Sequence, residues 1–169
     1  MSDIDRTRMR EREPVARDTY ERSVKYLMEL RDRAFKGSVL VKADEQPWEQ
    51  SRQGRLKFFM CRQTDLGSAL RVWDVFIHDI RTHSGEHRHQ GGLVIFVIEG
   101  EGYTEVDGER FEWEAGDLLL LPIKPKGVVH KHYNKRPGEG CKWMAFIFRP
   151  YADEIGFYIE QNSNCPDFK

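Results

Sequence analysis

The stretch from Gly85 to Gly102 reads GEHRHQGGLVIFVIEGEG and joins two histidines, one residue apart, to a long apolar run. Alternate side chains of a β-strand project from the same face, so His87 and His89 are expected to point the same way. The apolar run contains several β-branched residues and ends at glycine, which is typical of a buried strand. The stretch therefore predicts a β-rich fold with a candidate metal-binding pair.

A second pair, His130 and His132, lies in VVHKHYN, so that four of the six histidines fall in two pairs on separate predicted strands. A closed barrel can gather such pairs around one ion. Imidazole is a ligand of iron, copper, nickel and zinc, so the residue types predict a metal site without fixing the metal. They also leave open whether His130 or His132 completes the ligand set.

From Ser38 onwards the chain consists of short β-rich runs divided by turn residues. Asp107 and Gly108 separate two alternating runs, which is a strong hairpin signal because both residues tolerate a positive φ. Strands at such short intervals, without helices between them, predict an all-β sandwich or barrel of antiparallel strands. The runs are SVLVKA, RLKFFMC, ALRVWDVFIHDI, LVIFVIEG, GYTEVD, ERFEWE, DLLLLP, GVVHKHYN and CKWMAFIF.

The beginning of the chain has a different pattern. Residues 1 to about 14 are dense in charge, so we expect a mobile arm. Apolar residues then recur at helical spacing from Asp18 to about Phe35, and Gly37 is placed to end an amphipathic helix. We divide the chain into this arm and helix (1–37), a β-barrel (38–150) and a C-terminal tail (151–169), a short helix or strand that packs on the barrel.

Composition narrows the class of partner. Lys plus Arg number 27 and Asp plus Glu 28, so no overall field favours nucleic acid or an anionic membrane, and we expect a small-molecule substrate. No apolar run approaches the roughly 20 residues of a membrane span. Three cysteines without CxxC spacing argue against a disulfide framework and favour a reducing compartment. We therefore expect a cytoplasmic protein with no nucleic-acid or membrane partner.

The two histidine-containing stretches resemble the two motifs of the cupin superfamily. The first is GEHRHQGGLVIFVIEGEG with YTEVDG, and the second is GDLLLLPIKPKGVVHKHYN, with Gly116, Pro125, Gly127, His130 and Asn134 at matching places. The resemblance extends over about residues 38 to 150. It implies a cupin double-stranded β-helix, or jelly-roll barrel, to which the N-terminal amphipathic helix is added. Cupins also commonly dimerise through N-terminal segments, which implies a homodimer.

Many cupins carry a glutamate ligand shortly after the first histidine pair, where this chain has Gly91, Gly92, Leu93 and Val94. The resemblance is then closest to the three-histidine iron dioxygenases of the gentisate and salicylate dioxygenase type. It implies that His87, His89 and His130 hold Fe(II), with Mn, Ni or Zn as other candidates, and that O2 is a second substrate. In that group an arginine on the following strand binds the substrate carboxylate, whereas this chain has Ile95 or its apolar neighbours there.

The implied reaction is oxidative cleavage of a carbon–carbon bond in a small phenolic, aromatic or β-dicarbonyl-like compound. His132 is a candidate catalytic donor or general base, and the other interpretation is a histidine hydrogen-bonded to a neighbouring strand. Arg71 and Arg81 are candidates for anion binding. Two other functions fit the same pattern: a non-redox metal cupin such as an isomerase, lyase or decarboxylase, and a non-catalytic cupin that binds a small molecule.

Overall fold

The computed structural model describes residues 18–63 and 67–169, and the expected charged arm lies outside these ranges. Two helices and eleven strands follow one another along the described chain. The helices are α1 (Thr19–Lys36) and α2 (Arg149–Glu154). The strands are β1 (Glu49–Gln50), β2 (Arg55–Met60), β3 (Trp73–Asp79), β4 (His87–His89), β5 (Leu93–Glu99), β6 (Glu101–Val106), β7 (Glu109–Glu114), β8 (Leu118–Leu120), β9 (Val128–Asn134), β10 (Lys142–Phe148) and β11 (Glu160–Gln161).

The strands form two antiparallel sheets. The six-stranded sheet has the order β1-β2-β3-β10-β5-β8, and the five-stranded sheet has the order β11-β4-β9-β6-β7. One core lies between them, because its buried side chains come from both sheets, such as Phe76 and Ile95 from the first and Val106 and Val128 from the second. This arrangement confirms the predicted all-β, jelly-roll class with an added N-terminal helix.

Buried residues alternate with more exposed residues along the strands, so each strand has one inward face. In β5, Leu93, Ile95 and Val97 are buried, whereas the residues between them face outward. In β9, Val128, His130, His132 and Asn134 are buried and alternate with half-buried residues. The period of two therefore places the second histidine pair inside the protein, as the sequence predicts.

The β6–β7 hairpin turns at Asp107 and Gly108, whose φ angles are +49° and +89°. Asp107 also fixes this turn to the neighbouring strand, because its carboxylate accepts a hydrogen bond from the backbone N–H of Val129 at 2.9 Å. The predicted Asp-Gly hairpin is thus confirmed. Since β6 pairs with β9 as well, the hairpin positions Thr104 opposite His132.

Helix α1 begins at the N-cap Asp18, whose side chain accepts hydrogen bonds from the backbone N–H groups of Tyr20 and Glu21, and ends before Gly37. None of its residues is buried. The apolar side chains Leu27 and Met28 are 60% and 63% exposed. The predicted amphipathic helix is present, but its apolar stripe contacts little of the described chain. No helix within the described residues is long and apolar enough to cross a lipid bilayer.

Two regions differ from the simplest reading of the sequence. The expected strand SVLVKA is wrong, because Ser38 makes only an isolated bridge to Ser68 and Val39 is 94% exposed. Its β-branched residues favour a strand locally, but no sheet face covers them. The tail contains both a helical turn, α2, and strand β11, which pairs with β4. The division at residues 37, 150 and 169 remains a prediction.

Strand β8 is the last strand of the six-stranded sheet. Its partner on the inner side is β5, and the register aligns Leu118 with Phe96 and Leu120 with Val94. These four side chains lie on the outer face, and each is at least 40% exposed. The edge of the sheet therefore adjoins an apolar outer surface, which we call the outer apolar patch: Val94, Phe96, Ile98, Leu118 and Leu120.

Candidate metal centre

Strands β4 and β9 bring three histidines together. The two strands pair antiparallel with His87 opposite His130, and His89 lies on the same face of β4. One ring nitrogen from each of His87, His89 and His130 lies within 4.8 Å of the others, and all three side chains are buried. The register of two short strands is thus sufficient to bring together the three imidazoles that the resemblance implies as ligands.

Backbone carbonyls orient two of the rings. The Nδ1 atoms of His87 and His130 lie 3.1 Å from the carbonyl oxygens of Gly85 and Val128. A carbonyl only accepts hydrogen bonds, so each Nδ1 must carry the proton. The neutral tautomer then leaves the Nε2 lone pair free, as a metal ligand requires. The donor set therefore fits a transition-metal ion.

His89 is held differently. Its Nδ1 accepts a hydrogen bond from the backbone N–H of Gly91 at 3.0 Å, so in this arrangement the proton of the neutral ring is on Nε2. His89 also stacks on Phe157, with ring centroids 4.6 Å apart. To present Nε2 to an ion, His89 must move its proton to Nδ1 and lose the Gly91 hydrogen bond.

Burial keeps these rings neutral. It lowers the pKa of His87, and it lowers the pKa of His89 to about 3, with a further contribution from His87. The pKa of His130 is also well below its ordinary value, mainly because of burial. Metal binding requires the unprotonated imidazole, so near pH 7 the cluster needs to lose no proton before it binds an ion.

The three histidines line one side of a cavity of about 200 Å³. Most of its other walls are apolar, and they include Phe58, Phe76, Leu93, Ile147, Phe157 and Ile159. Polar groups are few among its described lining residues: Gln53, Gln63, Asp74 and His132 are the main ones. An apolar cavity with a few convergent polar groups is typical of a small-molecule site.

His132 also lines this cavity but is held by a neighbouring strand. Its Nδ1 lies 2.7 Å from the hydroxyl oxygen of Thr104 on β6, and the indole N–H of Trp113 donates to the same oxygen at 2.9 Å. The pKa of His132 is well below its ordinary value, chiefly because of burial. Both sequence interpretations of His132 are therefore compatible with its position, since it contacts Thr104 and faces the cavity.

The two candidate anion-binding arginines lie elsewhere. Arg71 borders a surface depression beside Arg62 and Arg149, and Arg81 borders another beside Trp48. Neither arginine lines the cavity at the histidine cluster, because only the alternate, inward-facing residues of β3 and its flanking segments reach it. The expectation that either supplies a charge to this site is therefore not supported by the arrangement of the described residues.

Sequence reasoning missed Asp74 and Phe157 as residues of the site. Asp74 shares the inward face of β3 with Phe76, and its even spacing was a signal that it could face the cavity. His78 lies on the same face of β3 but does not line the cavity; it is 2% exposed and packs edge-on against Trp143, with ring centroids 4.9 Å apart. Phe157 comes from the tail, and no local pattern indicates that it would reach His89.

Comparison with known proteins agrees with the fold. Residues 77–147 match the family described as the cupin domain. Two antiparallel sheets around a buried histidine cluster thus resemble those of a cupin domain. More particularly, this chain resembles the gentisate-type dioxygenases. A gentisate 1,2-dioxygenase from a Streptomyces species is 47% identical over 75 residues, which are 43% of this chain and 20% of that protein.

Two further proteins extend the comparison. An acireductone dioxygenase from Aspergillus fumigatus is 30% identical over 95 residues, which cover 48% of this chain and 52% of that enzyme. The solved structure of a salicylate 1,2-dioxygenase variant from Pseudoaminobacter salicylatoxidans, in complex with gentisate, superposes on 86% of this chain and 38% of its own, with a TM-score of 0.54 and 22% identity. The chain spans about a fifth of the length of the gentisate dioxygenases that it matches.

Proposed function

We propose that this protein is a non-haem iron(II) dioxygenase that cleaves a carbon–carbon bond of a small phenolic, aromatic or β-dicarbonyl-like compound. The observation that carries the proposal is the buried set of His87, His89 and His130 at one side of an apolar cavity. The similarity to dioxygenases of two substrate types supports the reaction class. In this proposal the three histidines are the metal ligands, and O2 is the second substrate.

The charge of the site supports the proposed substrate. Three neutral imidazoles contribute no negative charge, so a divalent ion held by them would keep its full charge and attract a bidentate, anionic ligand such as an enolate, catecholate or hydroxycarboxylate. When bound, the iron would supply the electron chemistry with dioxygen. The side chains of the chain would orient the substrate, and the apolar walls would exclude water from it.

His132 is the proposed catalytic residue, as a hydrogen-bond donor or general base toward the bound substrate or oxygen. Its position in the cavity wall supports this role, and its bond to Thr104 fixes the orientation of the ring. A general base must approach the proton that it removes to about 3 Å. The lowered pKa keeps the ring neutral near pH 7 but also makes His132 a weak base, so it supports the hydrogen-bond donor more than the general base.

The test begins with metal content. Protein purified without oxygen or chelator, and also after reconstitution with Fe(II), is analysed for moles of each transition metal per chain. We expect about one iron per chain, loss of metal in His87→Ala, His89→Ala and His130→Ala, and retained metal with an altered rate in His132→Ala. His83→Ala is the matched control, because His83 is half-buried and lies outside the cavity lining.

Oxygen uptake is then measured with phenolic acids, catechols and β-dicarbonyls. Uptake that depends on iron supports the dioxygenase. Stoichiometric metal with turnover but no oxygen consumption would instead indicate an isomerase, lyase or decarboxylase, in which the ion acts as a Lewis acid. Failure to bind iron on reconstitution would refute the enzyme and leave a barrel that binds a ligand. Loss of metal from His132→Ala but not from His130→Ala would show that His132, and not His130, is the third metal ligand.

We also propose that the protein is a homodimer. Among the described residues, the apolar stripe of α1, with Leu27 and Met28, and the outer apolar patch are both exposed. Contiguous exposed apolar surface marks an interaction site, and a second copy would cover both. Sedimentation at micromolar concentration should give a dimer, which Leu120→Lys weakens and the control Glu154→Lys does not. A monomeric wild-type protein would refute the proposal.

The cytoplasm is the proposed compartment. Cys61, Cys141 and Cys165 are all free and buried, which suits a reducing environment. Fractionation of cells that express the native chain tests this assignment, and we expect the protein in the cytosolic fraction.

A further inference from the structure

The C-terminal tail holds strand β4, which carries two of the three clustered histidines. Strand β4 has only three residues, and without β11 it would lie at the edge of its sheet beside β9. Strand β11 covers that edge, with Glu160 opposite Arg88 and Gln161 opposite His87, and the side chains of Glu160 and Arg88 form an ion pair. A three-residue strand forms few ladder hydrogen bonds, so its position depends on both of its neighbours.

Glu86, the residue directly before His87, is held by three tail residues that we call the tail clamp: Gln161, Asn162 and Ser163. The carbonyl oxygen of Glu86 accepts hydrogen bonds from the backbone N–H groups of Asn162 and Ser163, at 2.9 and 3.1 Å. It accepts another from the Gln161 side chain at 3.2 Å, and the Glu86 N–H donates to the Ser163 hydroxyl at 3.2 Å. Both backbone polar groups of Glu86 therefore bond to the tail.

The tail clamp reaches the ring of His87 through one peptide unit. The Gly85 carbonyl belongs to the same peptide unit as the Glu86 N–H, and its oxygen lies 3.1 Å from Nδ1 of His87. Because a peptide unit is planar, the Ser163 hydroxyl that holds one side of it also orients the other side. A Cβ atom on Gly85 would lie only 2.6 Å from the Ser163 carbonyl oxygen, so the tail packs closely against this unit. The tail thus directs the Nε2 lone pair of His87.

The same tail contacts His89 by a second route. Phe157 stacks on the His89 ring, with ring centroids 4.6 Å apart and an angle of 27° between the planes. The backbone N–H of Tyr158 donates to the side-chain oxygen of Gln90 at 2.7 Å, which fixes Phe157 beside the end of β4. Stacking does not depend on which ring nitrogen carries the proton. Phe157 therefore still holds the His89 ring when metal binding breaks the hydrogen bond from Gly91.

We infer that residues 157–163 are a positioning element of the metal centre, in which the tail clamp orients His87 and Phe157 orients His89. This inference rests on the proposed function, since it requires the three histidines to bind a metal ion. Partners that orient metal-ligating histidines typically contribute about tenfold to a hundredfold to metal affinity. The tail therefore determines how tightly the ion is held, in addition to forming part of the cavity wall.

The test is an anaerobic titration of the metal-free protein with Co(II), in competition with a chelator of known affinity. Co(II) is the probe because imidazole sites bind it more tightly than Fe(II), and its visible absorption bands report the geometry of its ligands. Phe157→Leu removes the ring but keeps an apolar side chain, and Gln161→Leu removes the amide from the tail clamp. We expect each to weaken Co(II) binding by about tenfold to a hundredfold and to shift the visible bands.

Two matched controls separate positioning from general damage to the tail. Phe168→Leu changes another half-buried phenylalanine of the tail, which lies outside the cavity lining, and Asn164→Leu changes an exposed amide beside the tail clamp. Both should keep the wild-type affinity and spectrum. Ser163→Ala should weaken binding, and Ser163→Thr, which keeps the hydroxyl, should restore it. Urea unfolding of each metal-free variant shows that it is folded, and the serine variants keep the test informative if a leucine variant is not.

Three results would overturn the inference. If Phe157→Leu, Gln161→Leu and Ser163→Ala all bind Co(II) with the affinity and spectrum of the wild type, the tail does not position the ligands. The wild-type binding of about one ion per chain would then keep the proposed metal centre. If the controls weaken binding as much as these variants, the effect is general destabilisation of the tail. A wild-type protein that binds no Co(II) would refute the metal centre, and the inference fails with it.

Discussion

Replacement of Thr104 by valine should destabilise the protein, because His132 and Trp113 each lose a hydrogen bond to the Thr104 hydroxyl. The Thr104 hydroxyl contacts Nδ1 of His132 at 2.7 Å and accepts the indole N–H of Trp113 at 2.9 Å, in a site that is fully buried. A buried polar group without a partner costs about 1–3 kcal/mol. Loss of both hydrogen bonds should therefore lower the free energy of unfolding by about 2–6 kcal/mol.

The matched variant is Thr104→Ser, which keeps the hydroxyl and removes one methyl group, at a cost of about 1 kcal/mol. Both variants are unfolded in urea without metal, and tryptophan fluorescence is recorded because Trp113 lies at the site. We expect the valine variant to be less stable than the serine variant and to show a changed pH dependence of turnover through His132. A valine variant as stable as the serine variant would refute this reasoning.

Three further predictions concern stability and reactivity. Burial lowers the pKa of His78 and His89 to about 3, so the unfolded chain binds more protons than the folded chain between pH 6.5 and about 3. The free energy of unfolding of the metal-free protein should therefore fall as the pH decreases below 6.5. Urea midpoints that stay constant between pH 7 and pH 4.5 would contradict this prediction. Gly54→Ala places a Cβ atom 2.1 Å from Nε2 of His78, whereas the Cβ atom of Gly108→Ala meets no atom within 4 Å. Gly54→Ala should therefore lower the melting temperature by several degrees more than Gly108→Ala. Equal decreases in melting temperature would show that the His78 ring moves aside without cost. Cys141 is fully buried and its thiol pKa is raised to about 12, so it should react with a thiol reagent at pH 8 only after unfolding, and mass spectrometry of the native protein should find it unlabelled.

The fold and the histidine cluster were predictable because both depend on short periods in the sequence. The spacing of His87 and His89 fixes a shared face, and the same holds for His130 and His132, whichever strands they occupy. The Asp107-Gly108 turn is equally local, since it depends on the backbone freedom of two residues. Such features need no knowledge of the distant parts of the chain.

Other parts of the site depend on which strands pair. Asp74 reaches the cavity because β3 lies beside β10, and Phe157 reaches His89 because β11 pairs with β4. No residue near Asp74 or Phe157 encodes these pairings. The exposed segment at Val39 shows the opposite error, since a strand-forming composition does not produce a strand where no neighbouring strand accepts its hydrogen bonds.

The free edge of strand β8 also affects how the protein behaves at high concentration. An edge strand offers its outer N–H and C=O groups to any strand that approaches, and here Leu118 and Leu120 add apolar contact beside that edge. The short length of β8 limits such pairing, but no charged residue within the strand opposes it. Dissociation of a partner that covers this edge should therefore lower the solubility of the protein before any secondary structure is lost.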